Sequence, residues 1–111
     1  MTNKYNARKT TVDGIPFDSK REAQEYLKLL SMEQAGEIRG LERLERGRDS
    51  YIVLDKIKGE RARYYTPDFR YIDSDGRTVV VEVKGKAARD YTLKRHLFRM
   101  RYPDIVFVEV R

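Results

Sequence analysis

Hydrophobic positions near the start of the chain follow a helical period. Apolar residues recur at spacings of three and four from Ala23 to Leu30, which gives a helix one apolar face. Ser19 precedes this run as an N-cap and Gly36 follows it as a stop signal. The pattern predicts a helix between Ser19 and Gly36. Before it, Asp13-Gly14 separates two short β-prone runs, which predicts a tight hairpin.

The segment from Ile38 to Leu54 gives an ambiguous signal. Its apolar residues favour two short strands, but Ile38, Leu41 and Leu44 also fit a helical period. Strand and helix therefore both stay open for residues 38–48.

A second helix and a last strand are predicted near the C-terminus. The helix begins after an N-cap at Asp90, and Leu93, Leu97 and Met100 form its apolar stripe. The sequence DIVFVEV then indicates a strand. The order of helix, about three strands, helix and strand predicts an α/β fold with a mixed central sheet flanked by helices.

The stretch YYTPDFRYIDSDGRTVVVEVKGK, residues 64–86, predicts two strands joined by a turn. A three-residue loop that ends at Gly76, in the left-handed conformation, sets the register between them. Phe69 then lies opposite Val81, on an apolar face that packs on the core. On the other face, Asp68 lies opposite Glu82.

Two carboxylates on opposite strand residues are energetically unfavourable. Like charges on opposite strand residues are destabilising unless something neutralises them. Mg²⁺ binds a few carboxylates together with water and phosphate oxygens, so Asp68 and Glu82 are candidate metal ligands. Lys84, two residues beyond Glu82 on the same face, is placed to orient or deprotonate a water or to stabilise phosphate charge. The alternative is a solvated sheet face on which Arg70 or Lys84 reduces the repulsion.

Glu22 has two possible roles. It follows Ser19 by three residues, which is the position of the acid in a capping box. It also lies at the edge of the apolar stripe, from which its side chain can lean over the sheet towards the other acids. Both roles stay open.

Composition narrows the class of protein. A chain of 111 residues forms one domain, and 24 Lys and Arg against 18 Asp and Glu, a net charge of +6, favour a polyanionic partner such as nucleic acid. The absence of Cys excludes disulfides, thiolate catalysis and Cys-type zinc sites, and a single His excludes a His-rich metal site. No apolar run is long enough to span a membrane, and the N-terminus lacks the core of a signal peptide, so we expect an intracellular, soluble protein.

Positive charge concentrates beside the predicted site. Between residues 84 and 101 seven bases accompany a single acid, Asp90. A basic N-terminal tail, residues 1 to about 10, is expected to be mobile. The candidate DNA contacts are Lys4, Arg8 and Lys9 in the tail, Lys20 and Arg21 at the start of the first helix, and Lys86, Arg89, Tyr91, Lys94, Arg95 and Arg99 after the hairpin.

Pro67-Asp68 and, after thirteen intervening residues, Glu82-Val83-Lys84, preceded by a helix that carries Glu22, resemble the motif of the PD-(D/E)XK nuclease superfamily. Four longer stretches together resemble a family of small phage-encoded proteins in this superfamily, similar to Holliday junction resolvases. They are NKYNARKTTVDGIPFDSKREAQEY, YTPDFRY, VEVKG and DYTLKRHLFRMRYP. The likeness covers nearly the whole chain except residues 37–63.

The resemblance implies a restriction-endonuclease-like core, αβββαβ, in a single domain of residues 1–111. It also implies Mg²⁺-dependent cleavage of branched double-stranded DNA by a homodimer, with Mn²⁺ as a substitute metal and no organic cofactor. Asp68 and Glu82 would hold the metal with the Val83 carbonyl, Lys84 would assist the attacking water, and Glu22 would be an outer acid. A phage-encoded protein would act in the cytoplasm of its bacterial host.

Two other functions remain open. One is a nickase or restriction-like endonuclease without junction preference. The other is a catalytically silent DNA-binding protein that keeps the fold, which the presence of Asp68, Glu82 and Lys84 makes the weaker alternative.

Overall fold

The computed structural model describes residues 10–84 and 90–111. The elements in chain order are β1 (Thr10–Val12), β2 (Ile15–Phe17), α1 (Lys20–Gln34), β3 (Arg39–Arg43), β4 (Tyr51–Leu54), β5 (Arg63–Tyr65), β6 (Phe69–Ile72), β7 (Thr78–Val83), α2 (Tyr91–Arg101) and β8 (Val106–Val110). The predicted mixed α/β class is confirmed. The predicted mobile tail lies, except for its last residue, outside the described residues. Neither of the helices described is long and apolar enough to cross a membrane.

The first helix has the predicted ends. Ser19 Oγ accepts a hydrogen bond from the Glu22 N–H at 3.1 Å, so Ser19 is the N-cap. At the other end Gly36 has φ +79°. The N–H groups of Gly36 and Glu37 donate back to the carbonyls of Glu33 and Met32, at 3.0 and 2.9 Å, which is a Schellman motif. Local sequence signals therefore determine both boundaries of α1.

The hairpin at Asp13-Gly14 is also as predicted. Val12 pairs with Ile15, and the two turn residues have φ of +50° and +77°. Positive φ at both central positions matches the right-handed twist of the two strands.

The central sheet has the order β3-β6-β7-β8. The β3/β6 and β6/β7 pairs are antiparallel, and the β7/β8 pair is parallel. The connection between the two parallel strands contains α2. Residues 39–43 form a strand, which resolves the ambiguity of this segment.

The two faces of the central sheet are covered by different elements. On one face the core contains Phe69, Val79 and Val81, packed with residues of α1 and of the β1–β2 hairpin. On the other face Val80 packs with Tyr65 of β5 and Phe98 of α2. Glu82, which alternates with Val81 and so lies on the face of Val80, is half-buried on a face covered by protein, which does not fit the alternative of a solvated sheet face.

The stretch 64–86 contains three strands instead of two. Tyr65 ends β5, which pairs with β4 in a separate two-stranded sheet, and the chain enters the central sheet only at Phe69. The turn register, continued outward, predicts that Thr66 lies opposite Lys84; this is wrong, because Thr66 lies outside β6 and its hydroxyl hydrogen-bonds to that of Ser50 at 2.7 Å. Pro67 lies in the break between the strands, consistent with its lack of a backbone donor.

The predicted stripe of α2 is confirmed at Leu97, which packs against the core, but it is wrong at Leu93 and Met100. Tyr91 and Phe98 are the buried residues of the helix, whereas Leu93 and Met100 are 56% and 69% exposed. Phe98 contacts several rings at once, with centroids 5.1 Å from Tyr51, 5.6 Å from Tyr65 and 6.0 Å from Phe107. Aromatic packing with the β4–β5 layer therefore sets the rotation of α2, and this layer is distant in sequence. Asp90 precedes the helix as predicted, but with φ +72° and no side-chain capping bond.

Candidate functional site

The hairpin register brings Asp68 to the level of Glu82 and Val83. Phe69 pairs with Val81, as the turn predicted. Asp68 stands one residue before β6, and its N–H donates to the Val81 carbonyl at 2.9 Å. Its Oδ2 accepts from the Val83 N–H at 2.7 Å. The Asp68 side chain is thus held against β7, beside Glu82.

Burial raises the pKa of both acids. Asp68 and Glu82 are half-buried. Burial, and then the Glu82 carboxylate, raise the pKa of Asp68 from 3.8 to about 7. Burial also raises the pKa of Glu82, helped by the charges of Glu22 and Glu109. The protein itself therefore does not compensate the two charges fully.

Arg70, a candidate to neutralise the charges of Asp68 and Glu82, has other partners. Arg70 forms an ion pair with Glu42 at 2.8 Å and donates to the Tyr51 hydroxyl at 2.9 Å. Among the described residues, no Lys or Arg forms an ion pair with Asp68 or Glu82. Arg70 therefore does not neutralise Asp68 or Glu82, contrary to the alternative in which it reduces the repulsion between the two acids.

Glu22 approaches the same site from α1. Burial, followed by the charges of Asp68 and Asp18, raises the pKa of Glu22 to about 7. Its backbone N–H takes part in the Ser19 cap. The main chain of Glu22 therefore serves the helix end, while its carboxylate faces the acids of the site. The bond of the Glu22 N–H to Ser19 is the first half of a capping box, but a return bond from the Glu22 carboxylate to Ser19 is not seen among the described residues. The role of Glu22 as an outer acid stays a prediction.

Val83 and Lys84 follow Glu82 at the end of β7. The Val83 N–H holds Asp68, as described above, and the Lys84 N–H donates to the Val110 carbonyl at 2.7 Å. The charge of Lys84 helps to lower the pKa of Glu109. Of the candidate groups for metal binding and catalysis, the structure brings together Glu22, Asp68, Glu82 and Val83, and Lys84 follows them directly at the end of β7.

The structure adds a tyrosine that the sequence did not indicate. The Tyr65 hydroxyl donates a hydrogen bond to Glu82 Oε1. Tyr65 was expected to be a packing residue, and it is buried. Its additional contact with Glu82 could not be predicted, because β5 pairs with β4 and reaches Glu82 only through the tertiary fold. Tyr64, also expected to pack, is 49% exposed.

A further acid, Glu109, lies next to Glu82. The two glutamates are register partners on the parallel strands β7 and β8. The Tyr91 hydroxyl and Arg95 Nη1 both donate to Glu109 Oε1, at 2.5 and 2.7 Å, and these bonds lower the pKa of Glu109. The repeated sequence Val-Glu-Val in the two strands was the available signal, since parallel pairing in register places the glutamates side by side.

The predicted DNA contacts occupy several different environments. Tyr91 is buried and Arg95 is half-buried against Glu109, so the hydroxyl and the guanidinium both have partners within the protein. Lys20, Arg21 and Arg99 are exposed, and Lys94 is half-buried. Lys4, Arg8, Lys9, Lys86 and Arg89 lie outside the described residues. His96 is exposed, as expected.

No metal site with three side-chain ligands is preassembled in residues 10–84 and 90–111, where no group of three or more His, Cys, Asp or Glu side chains has suitable geometry. Asp68 and Glu82 provide carboxylate oxygens, the ligand type that Mg²⁺ prefers, and Mg²⁺ commonly takes only one or two protein carboxylates and completes its shell with water and phosphate oxygens. The donor set therefore fits Mg²⁺ with two acids.

Comparison with known proteins gives one match. None of the curated proteins compared matches the chain, and none of the solved structures does. A family model matches residues 2–110, almost the whole chain. The match spans the helix with Glu22, the strands with Asp68 and Glu82, and the strand with Glu109. The chain therefore belongs to the family described as "Protein of unknown function (DUF1064)".

Proposed function

We propose that this protein is a Mg²⁺-dependent endodeoxyribonuclease that cleaves branched DNA, with four-way junctions as its principal substrate. The observation that carries the proposal is the pair Asp68 and Glu82. Glu82 lies in β7 and Asp68 stands immediately before β6, both half-buried and close enough for their charges to interact, and the described cations of the protein leave them without an ion-pair partner. Such a pair is costly in a protein with no use for it.

The order of elements supports the proposal. Apart from the β1–β2 hairpin and the β4–β5 layer, the chain runs α1, β3, β6, β7, α2 and β8. This is the αβββαβ order that the resemblance to PD-(D/E)XK nucleases implies. In this order, Asp68 immediately precedes β6 and Glu82 lies in β7.

The residues of the site divide the chemistry among them. Bound Mg²⁺, or Mn²⁺ in its place, supplies charge that polarises the phosphodiester and lowers the pKa of water. Asp68 and Glu82 hold the ion together with the Val83 carbonyl. The Val83 N–H fixes one Asp68 oxygen, so the metal-facing geometry of Asp68 is set by the sheet. Lys84 orients the water or stabilises phosphate charge, and Glu22 is an outer acid.

Basic residues around the site favour DNA. The net charge of +6 and the exposed side chains of Lys20, Arg21 and Arg99 provide phosphate contacts. Lys94 and the bases outside the described residues are proposed to add to this surface. Arg95 and Tyr91 would act on DNA only if they exchange or share their bonds with Glu109.

A homodimer follows from the substrate. Resolution of a four-way junction needs two cuts at related positions, and two copies about a two-fold axis supply two sites. Two regions offer apolar surface for the interface: β8 is an edge strand with half-buried residues throughout, and Ile52 and Leu54 in β4 are 36% and 43% exposed. The cytoplasm of a bacterial host is the proposed place of action.

The alternatives differ in substrate or in catalysis. A nickase or restriction-like endonuclease would use the same acids without junction preference, and a silent DNA-binding protein would not use them. Matched four-way, nicked and linear duplexes, each incubated with Mg²⁺ or with EDTA, separate the three. We expect Mg²⁺-dependent cleavage with a preference for the four-way junction. Equal cleavage of all three substrates would favour the nickase or restriction-like enzyme, and no cleavage with Mg²⁺ or Mn²⁺ would favour the silent protein.

A further inference from the structure

The hydrogen bond from Tyr65 to Glu82 joins the proposed metal site to the aromatic core. A carboxylate accepts hydrogen bonds and does not donate them, so the Tyr65 hydroxyl is the donor and Glu82 Oε1 the acceptor. This bond occupies one of the two Glu82 oxygens and restricts rotation of the carboxylate about its terminal bond. The Glu82 carboxylate also acts on the neighbouring Asp68 carboxyl group, whose pKa it raises.

The Tyr65 ring is held in place from several sides. Tyr65 is 6% exposed, and its ring centroid lies 5.6 Å from that of Phe98, 6.3 Å from Tyr91 and 6.5 Å from Phe107. Its backbone pairs with Tyr51 in the β4–β5 sheet. A hydroxyl on a ring with so little freedom defines a fixed point in space for the atom that it binds.

We propose that Tyr65 is a positioning residue that holds the Glu82 carboxylate in the orientation required for metal binding, an inference that rests on the proposed function of Glu82. Partners of this kind orient a ligand before the metal arrives, and their loss typically weakens metal binding by about 10- to 100-fold. Tyr65 itself lies behind Glu82 in the core and does not contact the substrate.

The neighbouring pair Tyr91 and Glu109 supplies a matched control. Tyr91 is a buried tyrosine of the same aromatic cluster, and its hydroxyl also donates to a glutamate of the central sheet. Glu109, however, is paired with Arg95 and is not a proposed metal ligand. Removal of either hydroxyl is the same chemical change in the same core, but only the Tyr65 hydroxyl donates to a proposed metal ligand.

The test compares wild type, Tyr65→Phe and Tyr91→Phe. Mn²⁺ is titrated into each metal-free protein, and the electron paramagnetic resonance signal of free Mn²⁺ gives the Kd directly, without DNA and without catalysis. Circular dichroism and thermal melting confirm that each variant is folded, which the retained phenyl ring favours. We expect the Kd of Tyr65→Phe to rise about tenfold and that of Tyr91→Phe to change by less than about twofold.

A cleavage assay gives a second readout. For Tyr65→Phe the Mg²⁺ concentration that gives half-maximal cleavage should rise by a similar factor, while the rate at saturating Mg²⁺ changes much less. A merely structural role would lower the melting temperature without this shift in metal dependence.

Three results would overturn the inference. If the wild type binds Mn²⁺ and Tyr65→Phe binds it with the same Kd, the proposed role of Tyr65 is refuted, and the proposed function is unaffected. An equal loss in Tyr91→Phe shows a general effect of the aromatic core instead of ligand positioning. Absence of Mn²⁺ binding in the wild type refutes the metal site itself, and the proposed function with it.

Discussion

The substitution Asp68→Asn distinguishes a metal-binding role of the Asp68 carboxylate from a role in stabilising the fold. If the Asp68 carboxylate is present to bind metal, its charge destabilises the metal-free protein, and its removal should stabilise that protein. Asn retains a side-chain oxygen, so the hydrogen bond from the Val83 N–H to residue 68 can be kept. The substitution therefore changes the charge at this position with little change in shape.

The magnitude follows from the pKa of Asp68. A rise from 3.8 to about 7 means that the folded state binds a proton more tightly than the unfolded state. The free energy of unfolding should then decrease as the pH rises from about 4 to about 7, by up to about 1.4 kcal/mol per pH unit. The full shift corresponds to about 4 kcal/mol. Partial exposure, coupling to Glu82 and the desolvation of Asn itself reduce the expected gain to about 1–3 kcal/mol above pH 8.

Urea denaturation in EDTA measures this difference. The free energies of unfolding of wild type and Asp68→Asn are compared at pH 4.0 and at pH 8.5, with Asp104→Asn as the control. Asp104 is an exposed aspartate near the end of the chain, and its substitution should have little effect at either pH. Asp68→Asn should be more stable than wild type at pH 8.5, with little or no difference at pH 4.0. Addition of Mg²⁺ should stabilise the wild type and not the variant.

The opposite result would refute the reasoning. If Asp68→Asn is less stable than wild type at pH 8.5 in EDTA, the Asp68 carboxylate contributes to the fold, and its elevated pKa and its position beside Glu82 do not indicate a metal site.

Two further predictions concern Glu22 and the assembly. Glu22→Gln keeps the helix cap, since Gln also serves at this position, but it removes the charge. DNA cleavage should be lost while the helical circular dichroism signal is retained. Unchanged cleavage would show that Glu22 serves only the end of the helix. Sedimentation at micromolar concentration, alone and with a four-way junction, should show a symmetric dimer in at least one condition, whereas a monomer in both would contradict the resolvase proposal and favour a nickase.

The parts of the fold that local sequence determines were predicted well. Ser19, Gly36 and the Asp13-Gly14 turn act through backbone groups within a few residues, and each has the expected geometry. The pairing of Phe69 with Val81 follows from the turn at Gly76 and was derived by counting alone. The position of Asp68 beside β7 could be predicted for the same reason, since Asp68 immediately precedes Phe69.

The errors arose where distant segments meet. The apolar residues Leu93 and Met100 suggested a buried stripe, but Phe98 and Tyr91 are buried, because the β4–β5 layer packs on α2. That layer also delivers Tyr65 to Glu82. A single-sequence pattern carries no information on which segments cover a sheet face, so both the covering layer and the tyrosine it contributes were missed.

Glu109 was missed for a related reason. Its position beside Glu82 depends on the parallel pairing of β7 and β8, and the sequence pattern did not define the register of that pairing. The partners of Arg95 and Tyr91 could not be known without it. The predicted DNA contacts of these two residues stay predictions, now with a competing partner in Glu109.

The central claim is that Asp68 and Glu82 hold a metal ion for DNA cleavage, and cleavage of a labelled four-way junction by matched variants tests it most directly. Wild type, Asp68→Asn and Glu82→Gln are compared at equal concentration with Mg²⁺, and binding to the same junction is measured in EDTA. The account predicts that wild type cleaves, that both variants lose cleavage, and that both bind the junction as tightly as wild type or more tightly, because a charge that repels phosphate has been removed. Cleavage by either variant at the wild-type rate would contradict the account and place the metal site elsewhere.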